Sequence, residues 1–133
     1  NAHINSYMAK KHRVYCTYFP DGRYYIGYSC KTDKQFENYY GSSSIVKAYL
    51  QENARHVGQS VSDILEKEVI AEYDKRAPAK MQEFLLQWQQ RHDPECINDM
   101  LHVRLRSSYL ADFEEIEWKP KVKKYPWRNF GVN

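Results

Sequence analysis

The chain has 133 residues, of which 42% are hydrophobic, 28% charged and 15% aromatic, and its formal net charge is +3. This length and composition are typical of one globular domain with a real core. No apolar run approaches the length of a membrane span, which excludes a membrane partner. Cys16, Cys30 and Cys96 have neither a disulfide-framework spacing nor a zinc-ligand spacing. Reduced thiols of this kind favour an intracellular, cytoplasmic protein.

A β-hairpin is the first predicted element. Two β-rich runs, 13–19 and 23–28, flank Pro20-Asp21-Gly22. Proline presets φ and glycine tolerates a positive φ, so this tripeptide favours a tight turn. The hairpin would bring the phenols of Tyr15 and Tyr25 onto neighbouring strands.

The middle of the chain predicts one helix followed by a third strand. After a helical turn within 29–40, Ser43 or Ser44 is a good N-cap for a helix over 45–53. Its predicted buried face carries residues at positions i, i+3 and i+4, namely Ile45, Ala48 and Tyr49. Segment 64–73 has apolar pairs at 64–65 and 69–70 and Tyr73 at its end, with charges between them, and favours a strand, although its Glu66-Lys67-Glu68 leaves a helix as the alternative.

The clearest helical signal follows Pro78, which is acceptable in the first turn of a helix. The apolar residues expected to face the core lie at i, i+3, i+4 and i+7 and are Met81, Phe84, Leu85 and Trp88. This helix should end near residue 91 or 92, and segment 98–110 is a further helix candidate. The order β-β-α-β-α predicts an α+β fold, in which helices flank a small three-stranded antiparallel sheet.

The C-terminal segment 118–133 mixes cations with aromatic residues and has no acidic residue. Its cations are Lys119, Lys121, Lys123, Lys124 and Arg128, and its aromatic residues are Trp118, Tyr125, Trp127 and Phe130. This mixture suits contact with a phosphate backbone, and a solvated tail is the alternative. We therefore divide the chain into an N-terminal arm (1–12), a central domain (13–100) and a C-terminal extension (101–133).

Four short motifs occur in an order that resembles one known family. Arg13-Val14-Tyr15 and Tyr25-Ile26-Gly27 lie on the hairpin, Tyr40-Gly41-Ser42-Ser43 follows, and Glu83 lies on a helix with Asn98 fifteen residues beyond it. In this order they resemble the GIY-YIG nucleases, in particular the phage homing-endonuclease-like members, over residues 13–98. The resemblance implies a metal-dependent DNA endonuclease that hydrolyses phosphodiester bonds, of phage or mobile-element type.

The resemblance also implies roles for individual residues. Tyr15 would be the general base, Tyr25 would assist it, and Asn98 would brace the site. Glu83 would bind Mg²⁺ or Mn²⁺, because a carboxylate is a natural ligand for such hard cations. Each residue also has a simpler interpretation: packed strand tyrosines, a surface glutamate, and an asparagine that caps a following helix.

One departure from the family concerns its arginine. Between Gly27 and Gly41 the chain has no arginine, so Lys31 is our candidate for the cation that stabilises charge on the phosphate. The expected DNA contacts are Lys34, Tyr40, Ser42, Lys47, Lys121, Lys123, Lys124 and Arg128. The expected partner is DNA, and a homodimer is an open alternative. The missing arginine also leaves open a catalytically degenerate module that binds nucleic acid or protein without cleavage.

Overall fold

The computed structural model describes residues 9–41, 44–53, 64–98 and 104–121. Four of the expected DNA contacts lie outside those ranges, namely Ser42, Lys123, Lys124 and Arg128. The described elements are β1 (His12–Tyr18), β2 (Tyr24–Ser29), α1 (Asp33–Phe36), α2 (Ser44–Asn53), β3 (Glu66–Tyr73), α3 (Arg76–Gln89) and a short 3-10 helix (Ser107–Leu110). The strands form a three-stranded antiparallel sheet in the order β2-β1-β3. The prediction of an α+β fold with this sheet is confirmed.

The hairpin forms where the turn signal predicts it. The N–H of Phe19 donates to the carbonyl of Arg23 at 2.8 Å, and the N–H of Gly22 donates to the carbonyl of Phe19 at 3.0 Å. Gly22 has a φ of 91°, a conformation that favours glycine. In the resulting register Tyr15 pairs with Gly27 and Thr17 pairs with Tyr25.

The two faces of the sheet are covered by different parts of the chain. Successive side chains of a strand point to opposite faces, so Val14, Cys16 and Tyr18 of β1 face α3, where Leu86 packs against them. Tyr15 points to the other face. There its ring packs edge-on against Phe36 at 5.5 Å and Tyr39 at 6.0 Å between centroids.

Segment 95–98 runs along the outer edge of β2. The N–H of Tyr24 donates to the carbonyl of Glu95, and the N–H of Ile97 donates to the carbonyl of Tyr24, both at 2.9 Å. Cys96 is thereby paired with Tyr24 as an isolated parallel bridge. This pairing carries Asn98 to the edge of the sheet.

The buried face of α3 differs from the predicted stripe. The predicted residues Met81, Phe84, Leu85 and Trp88 are half-buried or exposed, and Trp88 keeps 46% of its surface accessible. The buried residues of the helix are Ala77, Ala79, Gln82, Glu83, Leu86 and Gln87. The two buried glutamines of this face have backbone partners, since Gln87 Nε2 donates to the carbonyl of Ile26 at 3.0 Å and Gln82 Oε1 accepts from the N–H of Ile116 at 3.1 Å.

Other predictions along the chain need smaller corrections. On α2, Ala48 is exposed, whereas Val46 is fully buried in a second cluster with Phe19 and Leu65. Segment 64–73 contains strand β3, so the helix alternative is wrong. Of the helix expected over 98–110, the described part contains only the 3-10 turn Ser107–Leu110. Among the described helices, none combines the length and apolar character needed to cross a bilayer.

Candidate functional site

Two phenols fill the space above Gly27. A Cβ atom added to Gly27 would lie 2.5 Å from Tyr15 Oη and 2.8 Å from Tyr25 Cε1. The two rings are tilted by 54°, with their centroids 6.4 Å apart. A glycine is therefore needed at position 27 on steric grounds, because only a residue without a Cβ lets both rings approach the backbone of β2 this closely.

Glu83 of α3 lies within electrostatic range of the same two phenols. Its negative charge lies close enough to contribute to the raised pKa of both Tyr15 and Tyr25. Glu83 is 8% exposed, and burial raises the pKa of its carboxyl while the neighbouring Lys80 opposes that rise. The structure thus places Glu83 within electrostatic range of two phenols that are far from it in sequence.

Asn98 braces the strand that carries Tyr25. Its Oδ1 accepts from the N–H of Ile26 at 2.8 Å, and its Nδ2 donates to the carbonyl of Ile26 at 2.9 Å. Asn98 therefore holds β2 by a two-point contact, next to Gly27. We call Tyr15, Tyr25, Gly27, Glu83 and Asn98 the phenol site.

Replacing Asn98 with alanine is expected to lower the free energy of unfolding by about 1–3 kcal/mol, because the N–H of Ile26 loses its acceptor at a partly buried position. Urea denaturation measures the loss. Gln87→Met is the comparison, because the carbonyl of Ile26 then keeps its bond from Asn98. Equal losses in the two variants would contradict the bracing role.

The two phenols differ in exposure and therefore in what they can contact. Tyr15 is 0% exposed, and burial raises its pKa far above the ordinary range of a phenol. Tyr25 is only partly buried, and burial, with the charge of Glu83 as a second cause, raises its pKa to about 12. Both side chains are therefore neutral phenols at pH 7, and Tyr25 is the one that solvent reaches.

Cations near the phenol site come from two directions. Lys31, the expected replacement for the family arginine, places its Nζ 4.7 Å from the ring centroid of Tyr39, which packs on Tyr15. Lys80 is closer to the carboxylate, since its Nζ donates to Glu83 Oε1 at 2.7 Å. Arg76, one turn earlier on α3, also lowers the pKa of Glu83 by its charge.

The sequence interpretation missed Lys80 and Arg76. Both lie on α3, where charged residues are ordinarily read as a solvated face. The signal was present in their spacing, because residues 76, 80 and 83 recur at i, i+4 and i+7 and so share one face of the helix. That face carries Glu83, which the sequence had already singled out.

The expected DNA contacts that the structure describes do not all lie on the face of the phenols. Lys34 on α1 and Lys47 on α2 are exposed. Tyr40 is half-buried, with its ring centroid 4.8 Å from Lys67 Nζ. Lys121 is tied to the other face, because its N–H donates to Tyr18 Oη at 3.1 Å and Tyr18 packs in the core beneath α3.

One carboxylate is available for a metal ion at the phenol site. Within the described ranges, no three His, Cys, Asp or Glu side chains are grouped so that they could hold a metal together. Mg²⁺ in phosphoryl-transfer sites takes one or two carboxylates and completes its shell with water and substrate phosphate. Glu83 alone therefore fits such an ion best in the presence of a nucleic acid, and without one it would hold the ion weakly, with water completing the shell.

Comparison with known proteins gives no match. No family model matches the chain, and no curated protein or solved structure matches it. The geometry of the phenol site and the order of its residues along the chain therefore carry the evidence for a function.

Proposed function

We propose that this chain is a metal-dependent DNA endonuclease of the GIY-YIG type that hydrolyses phosphodiester bonds. The observation that carries the proposal is that Tyr15 and Tyr25 meet over Gly27 while the charge of Glu83, on a distant helix, acts on both phenols. Glu83 is also buried, as a solvated surface glutamate would not be. The order of these residues along the chain also resembles that family. The likeness is to its phage and mobile-element members, so we propose that this chain is a nuclease of that type.

The roles follow from exposure and charge. Tyr25 holds the attacking water, because it is the phenol that solvent reaches, and a nearby positive charge lowers the pKa of a phenol. Tyr15 packs behind Tyr25 and fixes its position over Gly27. Glu83 would hold Mg²⁺ or Mn²⁺, which when bound neutralises charge on the scissile phosphate and the leaving oxygen. Asn98 keeps β2 in register with these groups.

A second candidate function is a catalytically degenerate module that binds nucleic acid or protein without cleaving it. Three observations favour it: Tyr15 is completely buried, Glu83 already has Lys80 as a partner, and no arginine lies between Gly27 and Gly41. The two functions differ in one measurable property, which is hydrolysis.

Supercoiled plasmid tests the proposal. Wild-type protein is expected to nick it with Mg²⁺ or Mn²⁺ and to stop when EDTA is added. Tyr25→Phe, which removes one oxygen, is expected to nick about 10²-fold more slowly. Tyr109→Phe, at a residue with 61% exposure, is the matched control and should nick like wild type.

Two results would contradict the proposal that this chain is an endonuclease. If wild type fails to nick while it still retards DNA on a gel, the degenerate module is the better description. If Tyr25→Phe and wild type nick at equal rates, the nicking arises elsewhere or from a contaminant.

A further inference from the structure

We propose that Lys80 masks Glu83 in the metal-free protein, is displaced when a divalent cation binds, and then contacts the substrate phosphate. This inference rests on the proposed function for its substrate, while the masking itself can be measured without any cleavage. It also assigns the cation that the missing arginine leaves open.

The masking is a short contact between two largely buried charges. Lys80 Nζ lies 2.7 Å from Glu83 Oε1, and the side chains keep only 22% and 11% of their surface accessible. An ammonium at this distance occupies one lone-pair position of the carboxylate that a metal ion would use. Such a pair is screened less than an exposed one. A metal ion must therefore compete with Lys80 for Glu83.

The local structure holds Lys80 at this place before any ligand arrives. Lys80 and Glu83 are three residues apart on α3, the spacing at which helical side chains meet. Lys80 Nζ also lies 5.0 Å from the ring centroid of Tyr28 on β2, a cation–π distance. The ammonium is thus bounded by a ring on one side and the carboxylate on the other.

A displaced Lys80 would have a phosphate as its natural partner. Its stem is anchored on the face of α3 that meets the phenol site, and Arg76 lies one turn away on that same face. Lysine supplies a point charge to a phosphate oxygen, and it does so without the planar fork of an arginine. Lys80 contacts Glu83 directly, whereas the contact of Lys31 Nζ is with the ring of Tyr39.

The experiment measures two properties of Lys80→Met that should move in opposite directions. Mn²⁺ affinity of the DNA-free protein, measured by electron paramagnetic resonance of free Mn²⁺, is expected to rise about 5-fold or more, because the competing ammonium is gone. The rate of plasmid nicking at saturating Mn²⁺ is expected to fall about 10-fold or more, because a phosphate contact is lost. Simple structural damage would lower both.

Matched variants make the result interpretable. Lys80→Arg keeps a cation beside Glu83 and should bind Mn²⁺ about as wild type does. Lys75→Met removes an exposed lysine just before α3 and should change neither property. Circular dichroism melting verifies that every variant is folded.

Each outcome decides a different question. Equal or weaker Mn²⁺ binding by Lys80→Met overturns the masking, whatever happens to nicking. Faster nicking by that variant overturns the phosphate contact. If no variant nicks, wild type included, but Lys80→Met binds Mn²⁺ more tightly, the masking stands and the endonuclease proposal fails.

Discussion

Glu83→Gln is expected to fold like wild type and to nick supercoiled plasmid about 10³-fold more slowly. The substitution keeps the size of the side chain and removes the carboxylate charge that would hold the metal ion. Lewis-acid stabilisation of a transition state is worth several kcal/mol, and each 1.36 kcal/mol is about tenfold in rate. Initial nicking rates of wild type and variant give the ratio of their activities. They are measured over a series of Mn²⁺ concentrations, because a lost ligand should also raise the Mn²⁺ concentration needed for the half-maximal rate.

Glu114→Gln is the control for this prediction, because Glu114 is exposed and lies outside the phenol site. It should leave the nicking rate unchanged. If Glu83→Gln nicks within about threefold of the wild-type rate, Glu83 is not the residue that holds the metal ion. Loss of folding, detected by circular dichroism, would instead require the same comparison with Glu83→Asp.

The same variant gives a readout that does not depend on activity. The charge of Glu83 is one cause of the raised pKa of Tyr25, which burial brings to about 12. Glu83→Gln removes that charge, so the ionisation midpoint of Tyr25 should fall, as followed by the ¹³Cζ shift of labelled tyrosine. Because a raised pKa means that the folded protein keeps the proton longer than the unfolded chain, Tyr25 stabilises the fold below pH 10 and loses this contribution as pH rises towards 12.

Gly27→Ala is expected to lower the free energy of unfolding by about 1–3 kcal/mol and to slow nicking at the same time. The new Cβ would lie 2.5 Å from Tyr15 Oη and 2.6 Å from Tyr15 Cζ. Tyr15 cannot easily withdraw, because Phe36 and Tyr39 pack against its ring. Overpacking a filled core costs energy of this size. Urea denaturation measures the stability, and the plasmid assay measures the displacement of the phenols.

A double-mutant cycle identifies the clash. In a Tyr15→Leu background both of the nearest atoms, Oη and Cζ of Tyr15, are gone, so Gly27→Ala should cost less than it does in wild type. Residues in contact commonly show coupling of about 0.5–3 kcal/mol. Additive effects of the two substitutions would show that Tyr15 does not lie over Gly27.

The hairpin could be predicted from sequence because its signals are local. Pro20-Asp21-Gly22 determines the turn, and the β-rich runs on either side pair through it, so Tyr15 and Tyr25 reach one face without help from distant residues. β3 was also predictable, since its β-branched residues Val69 and Ile70 lie between charged ones. The position of Glu83 beside the phenols required the resemblance, because nothing in the local pattern of α3 distinguishes it from a surface glutamate.

The rotation of α3 could not be predicted from periodicity. The apolar stripe of Phe84 and Trp88 is real, but these rings stack on each other at 6.3 Å on the outer side of the helix. The helix instead buries Gln82 and Gln87, which find backbone partners in segments that are remote in sequence. Hydrophobicity alone assigns such glutamines to solvent. The cations Lys80 and Arg76 were missed for a different reason: their carboxylate partner, Glu83, lies on the same helix, and charged residues at such a spacing are ordinarily assigned to a solvated face.

Segment 95–98 has a consequence for how this chain meets other copies of itself. An outer strand with free N–H and carbonyl groups is a template for strand addition and for aggregation. On β2, the N–H and carbonyl of Tyr24 are hydrogen-bonded to Glu95 and Ile97. The N–H and carbonyl of Ile26 are both hydrogen-bonded to the side chain of Asn98. An incoming strand would find no vacant donor or acceptor at these two residues. A second copy of this chain therefore cannot extend the sheet by pairing at these two residues, and at Ile26 it is Asn98, a residue of the phenol site, that occupies the edge.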